Sequence, residues 1–193
     1  KGEIIAIIGD SGVGKTTLVD LLLGLLEPNE GKIYSNNIDI NKEIFLWRKI
    51  LGYVPQEVVL TNSTIKKNIT IGLKESQINK KQLKEVIKKT NIAEFIKIEN
   101  YNHKNIGERG SHLSGGQKQR IGIARALYKE PKIIIFDEAT SALDKKNEDQ
   151  ILKDIKILSK NKIIIFITHK TENLIFADKI FHIDKFGKIK QKK

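Results

Sequence analysis

Gly9-Asp10-Ser11-Gly12-Val13-Gly14-Lys15-Thr16 is the segment that most strongly indicates the fold class of this chain. The run Ile4–Ile8 before it is apolar, as in a buried strand, and Lys15–Leu23 places apolar residues at helical spacing. A glycine-rich turn between a strand and a helix presents backbone N–H groups and the positive end of the helix dipole to an anion. Because motif and context agree, we predict a phosphate-binding loop in an α/β fold rather than an ordinary glycine-rich turn.

The residue types of this loop suit the phosphates of a nucleotide. Its three glycines let the backbone turn tightly and approach phosphate oxygens, Lys15 supplies a cation to the β- and γ-phosphates, and the Thr16 hydroxyl can ligate Mg²⁺. We therefore predict ATP as the ligand and Mg²⁺ as its metal ion. The predicted ATP-binding residues of this segment are Gly9, Asp10, Ser11, Gly12, Val13, Gly14, Lys15, Thr16 and Thr17.

A second phosphate-binding device lies about a hundred residues downstream, at Leu113-Ser114-Gly115-Gly116-Gln117. Small residues again open a polar, helix-forming run, Gln117–Leu127, and this leaves N–H groups unpaired at the start of a helix. Either segment alone could bind phosphate. Together they predict two halves of an ATP site in one chain.

Acidic and imidazole side chains follow two apolar runs that are typical of buried strands. Ile133–Phe136 leads into Asp137 and Glu138, whose side chains diverge if the strand geometry continues. Asp137 can then face a metal ion while Glu138 faces an attacking water, a division suited to phosphoryl transfer. His169 follows Ile163–Ile167, at a strand end where ligands sit in open α/β sheets. Alone each pattern is weak, because many strands end in acids and a lone histidine is usually structural.

The set of motifs resembles the ATP-binding domain of ABC (ATP-binding-cassette) ATPases. In that family each ATP is sandwiched between the phosphate loop of one domain and the Leu-Ser-Gly-Gly-Gln signature of another. The resemblance implies that Glu138, His169 and Lys15 are catalytic, with His169 as the switch histidine at the γ-phosphate. Gln56 is similar to the family's Q-loop glutamine, whose amide can reach Mg²⁺ or water and whose loop senses the transmembrane partner.

The same resemblance implies the remaining ligand sets. Residues 139–144, Ala-Thr-Ser-Ala-Leu-Asp, are similar to the family's D-loop. The resemblance implies that Gln56 contacts the ATP bound by its own domain. The implied contacts in trans come from Ser114, Gly115, Gly116, Gln117 and Asp144, and the implied Mg²⁺ ligands are Thr16, Gln56 and Asp137.

The pattern along the chain predicts a single domain with one helical insertion. Residues from about 57 to 112 carry helical patterns and no strand-like run as strong as those on either side, whereas strands and helices alternate after Gln117. We expect an ABC ATPase domain fragment over 1–193, with a RecA-like, P-loop NTPase core (1–56 and 126–193) and an α-helical subdomain near 57–125. The first strand leads into the phosphate loop at once, so part of the family's N-terminal antiparallel sheet, with its adenine-stacking aromatic residue, is expected to be missing.

Several further elements are predicted from periodicity and turn residues. They are a short strand pair in Lys32–Ile40, strands at Leu51–Val54 and Lys179–Ile183, a helix at Glu148–Leu158, and a solvated, lysine-rich tail after Gly187.

The composition and charge of the chain indicate which kinds of partner to expect. The chain has 193 residues, a net charge of +12 and no cysteine, which excludes disulfides and thiol-bound metal sites. Its 35 Lys+Arg residues include only four arginines and are scattered over predicted helix faces, so no nucleic-acid partner is expected. Its apolar runs are far shorter than the roughly 20 residues that cross a bilayer. The phosphate loop favours the ATP-rich cytoplasmic face of a membrane.

Two segments look like those of exporter-type ABC domains: Asn105–Gly110 before the signature and Ser63–Ile69 after Gln56. Residues 47–56 look similar to flippases for lipid-linked oligosaccharides and to multidrug or peptide exporters. We therefore expect a second ABC domain and transmembrane domains as partners, with ATP-driven head-to-tail pairing powering transport.

Two alternatives stay open. A soluble ABC ATPase acting on DNA or the ribosome would share these motifs, although no sustained heptads separate the phosphate loop from the signature. A non-catalytic nucleotide-binding regulator is disfavoured by the presence of both Glu138 and His169.

Overall fold

A six-stranded, mostly parallel sheet organises the residues that the computed structural model describes, namely 2–96, 100, 105–141 and 143–192. The strands are β1 (Glu3–Ile8), β2 (Tyr34–Ser35), β3 (Ile38–Asp39), β4 (Leu51–Val54), β5 (Ile133–Asp137), β6 (Ile163–Ile167), β7 (Lys179–Ile183) and β8 (Ile189–Gln191). The sheet order is β4-β5-β6-β1-β7-β8, and only β7 and β8 pair antiparallel. β2 and β3 form a separate antiparallel pair. The predicted α/β fold with a mostly parallel sheet is confirmed.

Helices connect these strands. The α-helices of the described ranges are α1 (Lys15–Leu22), α2 (Ile44–Lys49), α3 (Ile65–Ile69), α4 (Lys80–Lys89), α5 (Gly115–Tyr128) and α6 (Lys145–Ser159). Short 3₁₀ segments lie at Ile40–Glu43, Glu75–Gln77, Ile92–Glu94, Glu108–Gly110 and Thr171–Phe176. Within the described residues, no helix combines the length and the apolar character required to cross a membrane.

Isoleucine-rich strands form the centre of the sheet. Ile134 of β5, Ile164 of β6 and Ile4 of β1 lie side by side in the register and are at most 3% exposed. Parallel strands of this kind are apolar almost throughout because helices cover both faces. The rings of Phe136 and Phe166 also meet, with centroids 6.4 Å apart. This packing fixes where the carboxyl ends of the strands lie.

The two faces of the sheet pack against different helices. One face, with Ile7, Ile135 and Ile167, packs on Val19 of α1. The residues that alternate with them belong to a larger core that includes Ile151 and other buried residues of α6 and α5. Successive side chains of a strand point to opposite faces, so each strand contributes to both layers. The phosphate loop therefore sits at the junction of the sheet and the helix α1.

The segment between β4 and α5 is helical in the residues that the structure describes. Its described residues contain α3, α4 and 3₁₀ segments, and the only strand-like pairing in them is an isolated bridge between Thr64 and Asn105. Leu83, Val86 and Ile87 of α4 are buried, since they lie on one face of an amphipathic helix. α5 spans the predicted boundary between residues 125 and 126, and the division into core and subdomain stays a prediction.

The tail after Gly187 differs from the prediction of a plain solvated end. The side chains of residues 188–192 are exposed, but Ile189–Gln191 pairs with β7 as β8. Asp184 Oδ1 accepts hydrogen bonds from the backbone N–H groups of Phe186 (2.9 Å) and Lys188 (3.0 Å), which shapes the turn. The tail forms a strand because the backbone groups of β7 pair with those of Ile189–Gln191.

Candidate functional site

The predicted catalytic side chains meet at one edge of the sheet. Parallel strands end at the same edge, so β1, β4, β5 and β6 deliver the residues that follow them to one place. A cleft of about 430 Å³ opens there. Its lining residues are Ser11, Gly12, Gly14, Lys15, Thr16, Thr17, Gln56, Asp137 and Glu138.

The phosphate loop has the backbone that its glycines predict. Gly14 caps α1 with a φ of +100°, a left-handed conformation that favours glycine. At Gly9 a Cβ atom would lie 2.8 Å from the carbonyl oxygen of Ile183, so a side chain does not fit. Lys15 is 8% exposed, and its Nζ donates to the carbonyls of Gly9 (2.9 Å) and Asp10 (2.8 Å). These two hydrogen bonds hold the Lys15 side chain against the phosphate loop, where Lys15 lines the cleft.

Glu138 stands between the two other predicted catalytic residues. Its Oε1 lies 3.8 Å from Lys15 Nζ, and its Oε2 lies 3.4 Å from His169 Nδ1. The backbone of Glu138 has a φ of +48°, and its N–H donates to the carbonyl of Ile167 at 3.1 Å. A non-glycine residue in this region carries about 1–3 kcal/mol of strain, which persists only where the surroundings impose it. His169 is exposed, so its ring is accessible beside the cleft.

Asp137 has a different neighbour, Tyr53, which sequence reasoning missed. The Tyr53 hydroxyl donates to Asp137 Oδ2 at 3.2 Å. Burial raises the pKa of Asp137, and the hydrogen bond from Tyr53 acts in the opposite direction. Burial, and then the charge of Asp137, raises the pKa of Tyr53 to about 12. In the sequence, the only indication of this contact was that Tyr53 lies on a predicted strand that leads to Gln56.

The cleft suits Mg²⁺ held together with phosphates. Thr16, Gln56 and Asp137 supply a hydroxyl, an amide and a carboxylate to one cavity, and these are the oxygen donors that Mg²⁺ prefers. No group of three or more His, Cys, Asp or Glu side chains among the described residues could hold a metal ion without other donors. Gln56 also donates from Nε2 to Ser141 Oγ at 3.3 Å, which links this cavity to residues 139–144.

The predicted signature residues begin α5 and lie outside the cleft. Ser114 caps the helix: its Oγ accepts from the N–H of Gln117 (3.3 Å), and Gln117 Oε1 accepts from the N–H of Ser114 (3.0 Å). Gly115 is exposed, whereas Gly116 is packed so closely on Asn147 that a Cβ would lie 3.0 Å from its Cγ. The lining of the cleft includes none of these signature residues.

Asp144 caps α6 in the same way. It accepts hydrogen bonds from the backbone N–H (3.1 Å) and the side-chain amide (2.6 Å) of Asn147, and these hydrogen bonds lower its pKa. Asp144 is exposed and does not line the ATP cleft. Ala142, in the segment predicted as a D-loop, lies outside the described residues.

Comparison with known proteins gives the family. A family model described as ABC transporter matches residues 1–141, a range that holds the phosphate loop, the start of α5 and Glu138. The chain belongs to the ABC transporter family. It is an ABC transporter ATPase domain, as its motifs predicted.

The relatives are transport proteins by name. A protein of Rickettsia felis whose name describes it as an export ATP-binding/permease protein is 46% identical over 190 residues, covering 96% of this chain and 32% of that protein. ABC transporter B family member 29, chloroplastic, of Arabidopsis thaliana is 43% identical over 98% of this chain and 30% of its own length. The chain therefore spans about a third of the length of these relatives.

A solved structure agrees with the fold. The structure of a bacterial Atm1-family ABC exporter with ATP bound superposes with a TM-score of 0.85 at 38% identity, covering 96% of this chain and 32% of that one. The match supports the ATP-binding fold of the ABC domain. The narrower similarity to flippases or to multidrug and peptide exporters stays a prediction.

Proposed function

We propose that this domain binds and hydrolyses ATP in the cleft at the sheet edge and that the native protein uses this reaction to export a substrate across a membrane. The observation that carries the proposal is Glu138, whose carboxylate lies between Lys15 Nζ at 3.8 Å and His169 Nδ1 at 3.4 Å. The names of the relatives, which join ATP binding to a permease, support transmembrane domains as partners. The domain then works at the cytoplasmic face of the membrane.

The chemistry assigned to these residues is attack of water on the γ-phosphorus of ATP. The bond from the γ-phosphorus to the β–γ bridging oxygen breaks, and ADP and phosphate are released. Glu138 orients the water and accepts its proton, Lys15 neutralises charge on the β- and γ-phosphates, and His169 contacts the γ-phosphate. When bound through Thr16, Gln56 and Asp137, Mg²⁺ would neutralise charge on the phosphate oxygens.

The catalytic unit in this proposal is a head-to-tail pair of domains. The signature residues Ser114–Gln117 lie outside the cleft that holds Lys15, so one domain supplies only part of the predicted contacts. The exposed start of α5, with Ser114 and Gly115, is free to face the ATP of a second domain. Asp144, at the exposed start of α6, is the other predicted contact in trans.

The test is a Glu138→Gln substitution in the native protein that contains these 193 residues. The amide keeps the shape of the side chain but cannot take a proton, so ATP binding should persist while turnover falls by roughly 10²–10⁴-fold. Glu172→Gln is the matched control, because Glu172 is an exposed carboxylate that pairs with Lys145 at 2.8 Å, away from the cleft. Wild-type turnover in Glu138→Gln would refute the role of Glu138, and lost ATP binding would indicate a structural one.

A further inference from the structure

Glu148 of α6 is a buried carboxylate outside the ATP cleft. It is only 3% exposed. A buried charge is strongly unfavourable unless it is paired and hydrogen-bonded. The partners of Glu148 therefore show which parts of the chain it holds together.

Lys170 and Asn173 supply most of these hydrogen bonds. Lys170 Nζ donates to both carboxylate oxygens at 3.0 Å, and the side-chain amide of Asn173 donates to Oε1 at 2.9 Å. Burial acts to raise the pKa of Glu148, but hydrogen bonds from Asn173, Lys170 and the Thr140 side chain outweigh it, so the pKa lies below its ordinary value. Glu148 is thus held as a charged acceptor.

These partners flank the two residues assigned to hydrolysis. Lys170 directly follows His169, and Thr140 lies two residues after Glu138. Lys170 Nζ also reaches the carbonyl of Thr140 at 3.4 Å. One carboxylate and its lysine therefore join both loops through residues that do not line the cleft. The Glu138 and His169 side chains of the same two loops approach to 3.4 Å.

We propose that Glu148 is a positioning residue that sets the separation of Glu138 and His169. It acts through the Lys170 bridge, which binds residues 138–140 and 168–173 to the first turn of α6. The proposal rests on the hydrolytic roles given above to Glu138 and His169. Loss of the bridge leaves the phosphate loop and its ATP contacts intact, because none of the partners of Glu148 lines the ATP cleft.

The experiment compares Glu148→Gln with the double variant Glu148→Gln/Lys170→Met in the native protein. Removing one partner leaves an unpaired buried group, whereas removing both charges with side chains of similar size avoids this, so the double variant is the one expected to stay folded. Lys170→Arg keeps the ion pair, and Glu172→Gln removes an exposed charge from the same 3₁₀ helix. Thermal unfolding, ATP binding sites per molecule and kcat are measured for each.

The double variant should bind ATP at the wild-type number of sites while kcat falls on the order of 10–100-fold, since misplacement of a catalytic pair by about 1 Å has effects of this size. Lys170→Arg and Glu172→Gln should keep kcat within about threefold of wild type. If Glu148 had only a structural role, the double variant would lose ATP binding sites in parallel with the fall in kcat. A folded double variant with wild-type kcat overturns the proposal, as does a parallel loss of binding sites and kcat.

If the proposed ATP hydrolysis itself is wrong, the experiments give a different set of results. If the wild-type protein hydrolyses no ATP, or if Glu138→Gln hydrolyses it normally, the assigned chemistry is wrong. If wild type is active, Glu138→Gln is inactive and the double variant stays fully active, only the positioning role of Glu148 is wrong.

Discussion

Asp137 and Glu138 are adjacent in sequence, yet their side chains have different partners. Asp137 accepts a hydrogen bond from Tyr53, while Glu138 lies between Lys15 and His169. β5 ends at Asp137 and Glu138 has a left-handed backbone, with a φ of +48°, so the change of backbone conformation, rather than strand alternation, accompanies the different directions of the two side chains.

A Tyr53→Phe substitution tests the environment of Asp137. The hydrogen bond from Tyr53 lowers the pKa of Asp137, so its loss should raise that pKa further and favour the protonated acid as pH falls. The Mg²⁺ concentration for half-maximal ATP hydrolysis should rise by about tenfold, more at pH 6 than at pH 8. Tyr34→Phe, on an exposed tyrosine of β2, is the control. Equal Mg²⁺ dependence for wild type and Tyr53→Phe at both pH values would contradict the role.

The central strands and the start of α1 at Lys15 could be predicted from the sequence, whereas the starts of α5 and α6 could not. The isoleucine runs of β5 and β6 are bounded by polar residues, and the predicted limits of β6 agree with the structure. α6 begins at Lys145 rather than at the predicted Glu148, because Asp144 caps the helix ahead of its first buried residue. α5 likewise begins at Gly115 rather than Gln117, because the cap is Ser114.

Contacts between residues that are far apart in the sequence were not predicted either. Tyr53 meets Asp137 across 84 positions of sequence, and Lys170 meets Glu148 across 22. Neither pair has a local pattern, since each depends on the strand order and on how α6 packs. Residues whose chemistry is carried by a local motif, such as Lys15, were predicted and brought to the cleft.

The Ser114 side chain that caps α5 stabilises the start of this helix. Ser114→Ala removes the acceptor for the N–H of Gln117 and should lower the free energy of unfolding by about 1 kcal/mol, whereas Ser114→Asn keeps a capping oxygen and should change it by only a few tenths. Urea unfolding of the native protein measures both. Equal losses in the two variants would show that the cap is not what stabilises the start of α5.

For the whole molecule, the arrangement of the parallel strands places the phosphate loop, Glu138 and His169 at one edge and leaves the signature outside that cleft. A mixing experiment follows from the proposed pairing. A Lys15→Ala copy and a Ser114→Arg copy each form pairs with two defective sites, but a mixed pair has one intact composite site. Mixing should therefore restore ATP-dependent pairing and part of the hydrolysis. If the mixture pairs no better than either variant alone while wild type pairs, the shared site is refuted.

The hairpin of β7 and β8 bears on how copies of the molecule behave when they are crowded. β8 is the outer strand of the sheet, fully exposed, and its sequence around Ile189–Gln191 is flanked and interrupted by Lys188, Lys190 and Lys192. Open strand edges are templates for fibril-like growth, and lysines are a common natural protection against it. Two such edges brought together would set like charges opposite each other, which is unfavourable. The lysines at 188, 190 and 192 therefore disfavour the addition of another strand at the β8 edge of the sheet.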